Sequence, residues 1–110
     1  MFAENGAIIM SEMYGISEIS EKLRPVFESL PIYKAILFGS YSRGEATSSS
    51  DIDIVIDSRG EIRGLNFYGV LDEIVETLNI DVDLFEVSEI RQNSTIESEI
   101  MELGVVLYER

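Results

Sequence analysis

Residues 35–56 read A-I-L-F-G-S-Y-S-R-G-E-A-T-S-S-S-D-I-D-I-V-I, and the rest of the chain is organised around them. Ile36, Leu37 and Phe38 run straight into Gly39-Ser40, the pattern of a buried strand that ends at a tight turn. A short helical turn follows. The tract Thr47 to Ser50 is polar, offers nothing to pack, and reads as loop. Beyond it Asp51, Asp53, Val55 and Asp57 alternate with Ile52, Ile54 and Ile56, the period of a half-buried strand. Aspartate is a poor strand former, and three of them on one face within seven residues repel one another. A divalent cation is the simplest compensation.

Composition narrows the chemistry. A chain of 110 residues makes one domain with a modest core. Apolar content of 45% and a mean hydropathy of +0.12 fit a folded, soluble protein. Eight basic residues against 21 acidic ones leave a net charge of −13. That sign argues against a long nucleic acid as partner, because displacing counterions from phosphates needs a basic surface. Cysteine is absent, which suits a reducing cytoplasm. Histidine is absent too, so imidazole catalysis and histidine-bound zinc are excluded. Any metal has to be a hard, oxygen-liganded ion such as magnesium or manganese. The apolar patch Gly6 to Met10 is too short for a signal or membrane segment.

Residues 1–15 have no sustained period and read as an irregular lead-in to a single domain over 16–110. Ile19, Leu23, Val26, Phe27 and Leu30 recur at helical spacing, with Ser17 as the cap. Pro25 should kink or split that helix, and Pro31 ends it. Tyr33 to Phe38 is the first strand and Asp51 onward the second. A loop spans Ser58 to Gly64. The helix over Leu65 to Asn79 should turn Tyr68, Leu71, Ile74, Val75 and Leu78 to one side. Ile80 to Val87 is a third strand, with Asp81, Asp83 and Phe85 on one face. Thr95 to Leu103 forms a last helix stopped at Gly104, and Val105 to Tyr108 a final strand. This order gives a two-layer α/β (α+β) domain with one sheet. The short link between the first two strands makes them antiparallel and the sheet mixed, with about four strands and helices packed on one face.

Three constellations carry chemistry. Gly39 lets a backbone approach a ligand, and a helix starting there offers free N–H groups that suit a phosphate; an ordinary turn capped by Ser40 is the plain alternative. Arg43, a cation so close to a helix start, calls for an anion nearby. The Gly39-x4-Gly44 spacing is half of a P-loop, but Glu45-Ala46 replace the required Lys and Ser/Thr. Asp51 and Asp53 point the same way from one strand and can hold one or two cations; a solvated strand face is the alternative. Apolar Ile52, Ile54 and Val55 exclude an EF-hand loop. Asp81 and Asp83 repeat the arrangement on the third strand, where a neighbouring strand could complete a two-metal site for phosphoryl or nucleotidyl transfer.

Gly39-Ser40, ten intervening residues and Asp51-Ile52-Asp53 resemble the signature of the DNA polymerase β-like nucleotidyltransferase superfamily. The fuller string L-F-G-S-Y-S-R-G-E-A…S-D-I-D-I-V-I, the later V-D-L-F and the closing E-I-M-E-L-G-V-V-L-Y-E are similar to its minimal nucleotidyltransferase (MNT) branch. The likeness covers about residues 17–110. It implies a nucleotidyltransferase fold, ATP as substrate, and Mg²⁺ (or Mn²⁺)-dependent transfer of NMP, in particular AMP. Gly39 and Ser40 match the triphosphate-contacting pair, and Asp51, Asp53 and Asp83 the catalytic metal ligands. Arg43 matches a recurring arginine beside the nucleotide, and Asp81 has no counterpart. Ser42 departs from the small residue common there. MNT proteins are often paired with a HEPN-domain protein as antitoxin and toxin, so the resemblance implies a cytoplasmic protein adenylyltransferase acting on a HEPN partner, in a homo- or hetero-oligomer. Two alternatives remain: transfer to a small molecule, as in aminoglycoside nucleotidyltransferases, and a binding module without catalysis.

Overall fold

The computed structural model describes residues 14–47 and 49–110; nearly all of the lead-in over 1–15 lies outside them. Helix α1 (Ile16–Glu28) buries Ile19, Leu23, Val26 and Phe27, the residues whose spacing predicts it. One expectation fails here, and one of the two alternatives for Pro25 falls away. The cap is Gly15, whose amide donates to the Glu18 side chain (3.2 Å), while Ser17 lies inside the helix. Pro25 does not split α1, which runs continuously through it. The missing Pro25 N–H costs about 3 kcal/mol in a helix interior. Burial of Leu23, Val26 and Phe27 on either side offsets that cost.

Strand β1 (Lys34–Phe38) leads through one helical turn, α2 (Ser40–Arg43), and a loop to β2 (Ile52–Asp57). Helix α3 (Leu65–Leu78) then crosses to β3 (Val82–Glu86), and α4 (Thr95–Leu103) to β4 (Val105–Glu109). The sheet order is β3-β2-β1-β4. As expected, β1 pairs antiparallel with β2, and also with β4, while β2 and β3 run parallel. The parallel pair needs a crossover of helical length, and α3 supplies it.

Ala35, Leu37, Ile52, Ile54, Ile56 and Val82 face α1 and α3 and form the core. Tyr68, expected on the buried side of α3, is instead exposed; Val70, Ile74 and Leu78 are the buried residues of that helix. On the other face, strand register lines the side chains up in rows. Phe38 lies opposite Asp53, and Asp53 opposite Asp83. The next row is Val106, Ile36, Val55 and Phe85, and the one after it Glu109, Lys34 and Asp57. Helix α4 ends against this second face. Gly104 stops it, as predicted, but with φ −68° and not the left-handed conformation of a usual C-terminal glycine. A Cβ at that position would strike the Ile100 carbonyl and come within 2.8 Å of Ile36 Cγ2. Glycine is needed there for closeness.

Candidate active site

The carboxylates stand where two sheet features meet. Parallel pairing of β2 and β3 sets Asp53 and Asp83 directly opposite each other. Antiparallel pairing of β1 and β2 sets Asp53 opposite Phe38, so the turn after β1 lies beside the same carboxylate. Gly39 makes that turn at φ 78° and ψ −155°, a region only glycine occupies freely. A Cβ on Gly39 would overlap the Asp53 carboxylate. The Gly-Ser turn and the first strand aspartate are thus one packed unit.

Gly39 is the N-cap of α2 and Ser40 its first residue. The plain reading, in which Ser40 caps the turn, is therefore wrong. The amides of Ser40 and Tyr41, in the first turn, have no carbonyl four residues back within the helix. With only four residues, α2 supplies local N–H groups and little macrodipole. Buried Tyr41 anchors the turn in the core, and the Ser42 hydroxyl donates to the Gly39 carbonyl (2.9 Å). Arg43 finds its anions within the protein: Nε donates to Glu45 (3.0 Å) and Nη1 pairs with Glu99 of α4. Its charge also acts on Asp53, favouring the ionised carboxylate.

Asp53 has the most perturbed acidity of the site. Burial, then the charge and hydrogen bond of Asp83, then the charge of Asp51 push its pKa up to about 6. Asp51 precedes β2 and is exposed. Asp81, just before β3, is exposed as well, and its carbonyl accepts from the Ile52 amide (3.0 Å). Asp51, Asp81 and Asp83 line an open cleft of about 450 Å³ together with Leu71, Asp72, Val75 and Glu76 of α3. The structure thus couples Asp53 to Asp83, places Asp51 on the lip, and leaves Asp81 in the cleft. Among the described residues no three carboxylates close around a single point as a finished ion cage. The donor set nevertheless fits a hard divalent ion: oxygen ligands only, on adjacent strands, with burial and then neighbouring negative charge raising the pKa of Asp53.

Two contributors escape motif reading. Phe38, in the row of the aspartate pair, meets Phe85 of the next row with ring centroids 5.6 Å apart and planes tilted by 51°; strand alternation placed Phe85 on the face of Asp83 but gave no hint of its partner. Glu99 holds Arg43 from 56 residues away in sequence, which no local pattern signals.

Residues 21–110 match the polymerase beta nucleotidyltransferase family. A Methanocaldococcus jannaschii protein named "putative protein adenylyltransferase" is 38% identical over 76 residues, covering 66% of this chain and 88% of that one. Another of the same name and organism is 33% identical over 106 residues, covering 90% of this chain and all of the other. Among solved structures, a chain of a toxin-antitoxin crystal structure with AMP-PNP superposes with a TM-score of 0.69 at 23% identity, over 83% of this chain and 73% of that chain. A chain of the complex of tri-AMPylated Shewanella oneidensis HEPN toxin with MNT antitoxin gives 0.64 at 20% identity, over 86% and 73%. At such identities these likenesses establish the fold. The match over residues 21–110, together with the curated relatives, makes this chain a member of the polymerase beta nucleotidyltransferase family.

Proposed function

We propose that the protein transfers AMP from ATP to a hydroxyl of a protein acceptor, and that the acceptor is a HEPN-type toxin which it thereby neutralises. The observation that carries this reading is the register pair Asp53–Asp83 set beside the Gly39 turn. Gly39 and Ser40 would receive the triphosphate on backbone N–H groups. Asp51, Asp53 and Asp83 would hold Mg²⁺ or Mn²⁺, which when bound neutralises phosphate charge and lowers the pKa of an attacking hydroxyl. Arg43 fixes α2 against α4 and offsets part of the carboxylate charge. The cleft lined by Asp51, Asp81 and Asp83 opens beside these carboxylates, and the acidity of the site suits a basic protein. The acceptor oxygen bonds to the α-phosphorus, the bond to the β-phosphate oxygen breaks, and pyrophosphate leaves. The hydroxyl proton passes to solvent through the cleft.

The protein acceptor is supported by the names of the curated relatives, and the HEPN partner by the complexes whose chains share the fold. ATP as donor suits a cytoplasmic site. No described helix is long and apolar enough to cross a membrane. Intact-mass spectrometry of a co-expressed HEPN protein tests the reading. A partner heavier by whole AMP units, and unmodified when Asp51 is asparagine, is expected. A stable complex without added mass, unchanged by Asp51→Asn, would replace enzyme by binding module.

A further inference from the structure

Helix α4 reads T-I-E-S-E-I-M-E-L, and Ile96, Ile100 and Leu103 fall on one stripe at i, i+4 and i+7. That stripe is what should seat the helix, because nine residues are too few for a helix to stand by itself in water. Yet none of its residues is buried. Leu103 is 45% exposed, Met101 78%, and Val106 on the adjoining edge strand 49%. The apolar surface continues onto the sheet, since Val106 lies opposite Ile36 and Gly104 abuts Ile36.

Two features say what covers this surface. The first is place. Val106 and Ile36 belong to the row next to Phe38, Asp53 and Asp83, on the same face of the sheet, and Glu99 of α4 grips Arg43 beside the Gly39 turn. A body docked here stands against the sheet face that carries Asp53 and Asp83. The second is charge. Glu97, Glu99 and Glu102 are the only charged side chains of α4. Arg43 already holds Glu99, but a second copy would set Glu97 and Glu102 against the same carboxylates within a pair of chains each carrying −13, and like charges facing one another in an interface are strongly disfavoured. A basic surface meets the same groups favourably.

We propose that the α4–β4 surface docks a protein partner whose contact presents leucine-sized apolar side chains set among lysine or arginine. This rests on the reading of a protein acceptor and places that acceptor on the molecule.

Titration of the full chain with an amphipathic helical peptide of leucine and lysine, followed by amide chemical shifts, tests the proposal without nucleotide. Saturable binding is expected, with shifts clustered on α4 and β4. Leu103→Glu and Val106→Glu should each weaken it by about tenfold. Leu65→Glu, which changes an 86% exposed leucine on the α3 side, should leave it unchanged. Shifts spread over α1 and α3, or equal binding by both glutamate variants, would overturn the proposal. So would a concentration-dependent dimer of the unmutated chain that Leu103→Glu dissolves, which would make the occupant a second copy. Since no ATP takes part, docking can fail while AMP transfer stands, and transfer can fail while docking stands.

Discussion

Replacing Asp53 by asparagine should make the metal-free protein more stable while abolishing transfer. Asp53 is half-buried against Asp83, and its pKa rises from 3.8 to about 6. A carboxyl more basic folded than unfolded favours the folded state while protonated. That stabilisation is complete below about pH 4 and is lost as the pH rises through about 6. At pH 8 the ionised group therefore works against folding. A shift of about two units corresponds to roughly 3 kcal/mol, and solvent screening at this partly open site reduces it to about 1–2 kcal/mol. Asparagine has nearly the same shape and no charge, so Asp53→Asn should recover that amount. In a domain of this size it should raise Tm by about 5–10 °C. Calorimetry in EDTA at pH 8 and pH 4 would read the effect, which should be present at the first pH and nearly gone at the second. Added Mg²⁺ should stabilise the unmutated chain more than the variant. An Asp53→Asn protein that is equally or less stable at pH 8, or whose gain persists at pH 4, would refute the coupling of Asp53 to Asp83.

Gly39→Ala should lose nucleotide transfer and destabilise the fold by about 1–3 kcal/mol from the strained backbone alone, because its Cβ also overlaps the Asp53 carboxylate; ATP-dependent transfer and thermal melting check both. Ile54→Ala, adjacent in sequence but fully buried on the core face, should cost roughly 2–5 kcal/mol in urea unfolding and leave activity per folded molecule intact. Ser58→Ala should cost about 1–3 kcal/mol, since the buried Ser58 hydroxyl donates to the buried Glu86 carboxylate at 2.6 Å; denaturation in urea would show it.

The alternation of Ile52, Ile54 and Ile56 with Asp51, Asp53 and Val55 was enough to lay out β2 and its two faces, because a period of two leaves no other placement once one face is buried. The helix stop at Gly104 was legible too, but the glycine serves close approach to Ile100 and Ile36 and not the usual left-handed end. What escaped depends on groups that meet only in the folded chain. Pro25 is a local helix breaker, and it is overridden by the burial of Leu23, Val26 and Phe27 against the sheet. Arg43 called for an anion, and while Glu45 lies close in sequence, Glu99 is brought in only by α4. Tyr68 fits the apolar stripe of α3, yet it falls beyond the edge of the core and stays exposed. Gly39 was assigned to ligand approach, while its tightest constraint is the Asp53 carboxylate behind it. The pairing of Asp53 with Asp83 needed the parallel register of β2 and β3, which strand order alone does not provide.

ATP labelled separately at the α- and γ-phosphates, added with Mg²⁺ and an extract of cells that express the protein, would test AMP transfer most directly. Label should enter a protein band from the α-position only, and only with the unmutated chain, an Asp51→Asn/Asp53→Asn double variant giving none. Label from the γ-position would mean a kinase-like reaction, and label unaffected by the double variant would remove Asp51 and Asp53 from the chemistry; either result would contradict adenylyl transfer at this site.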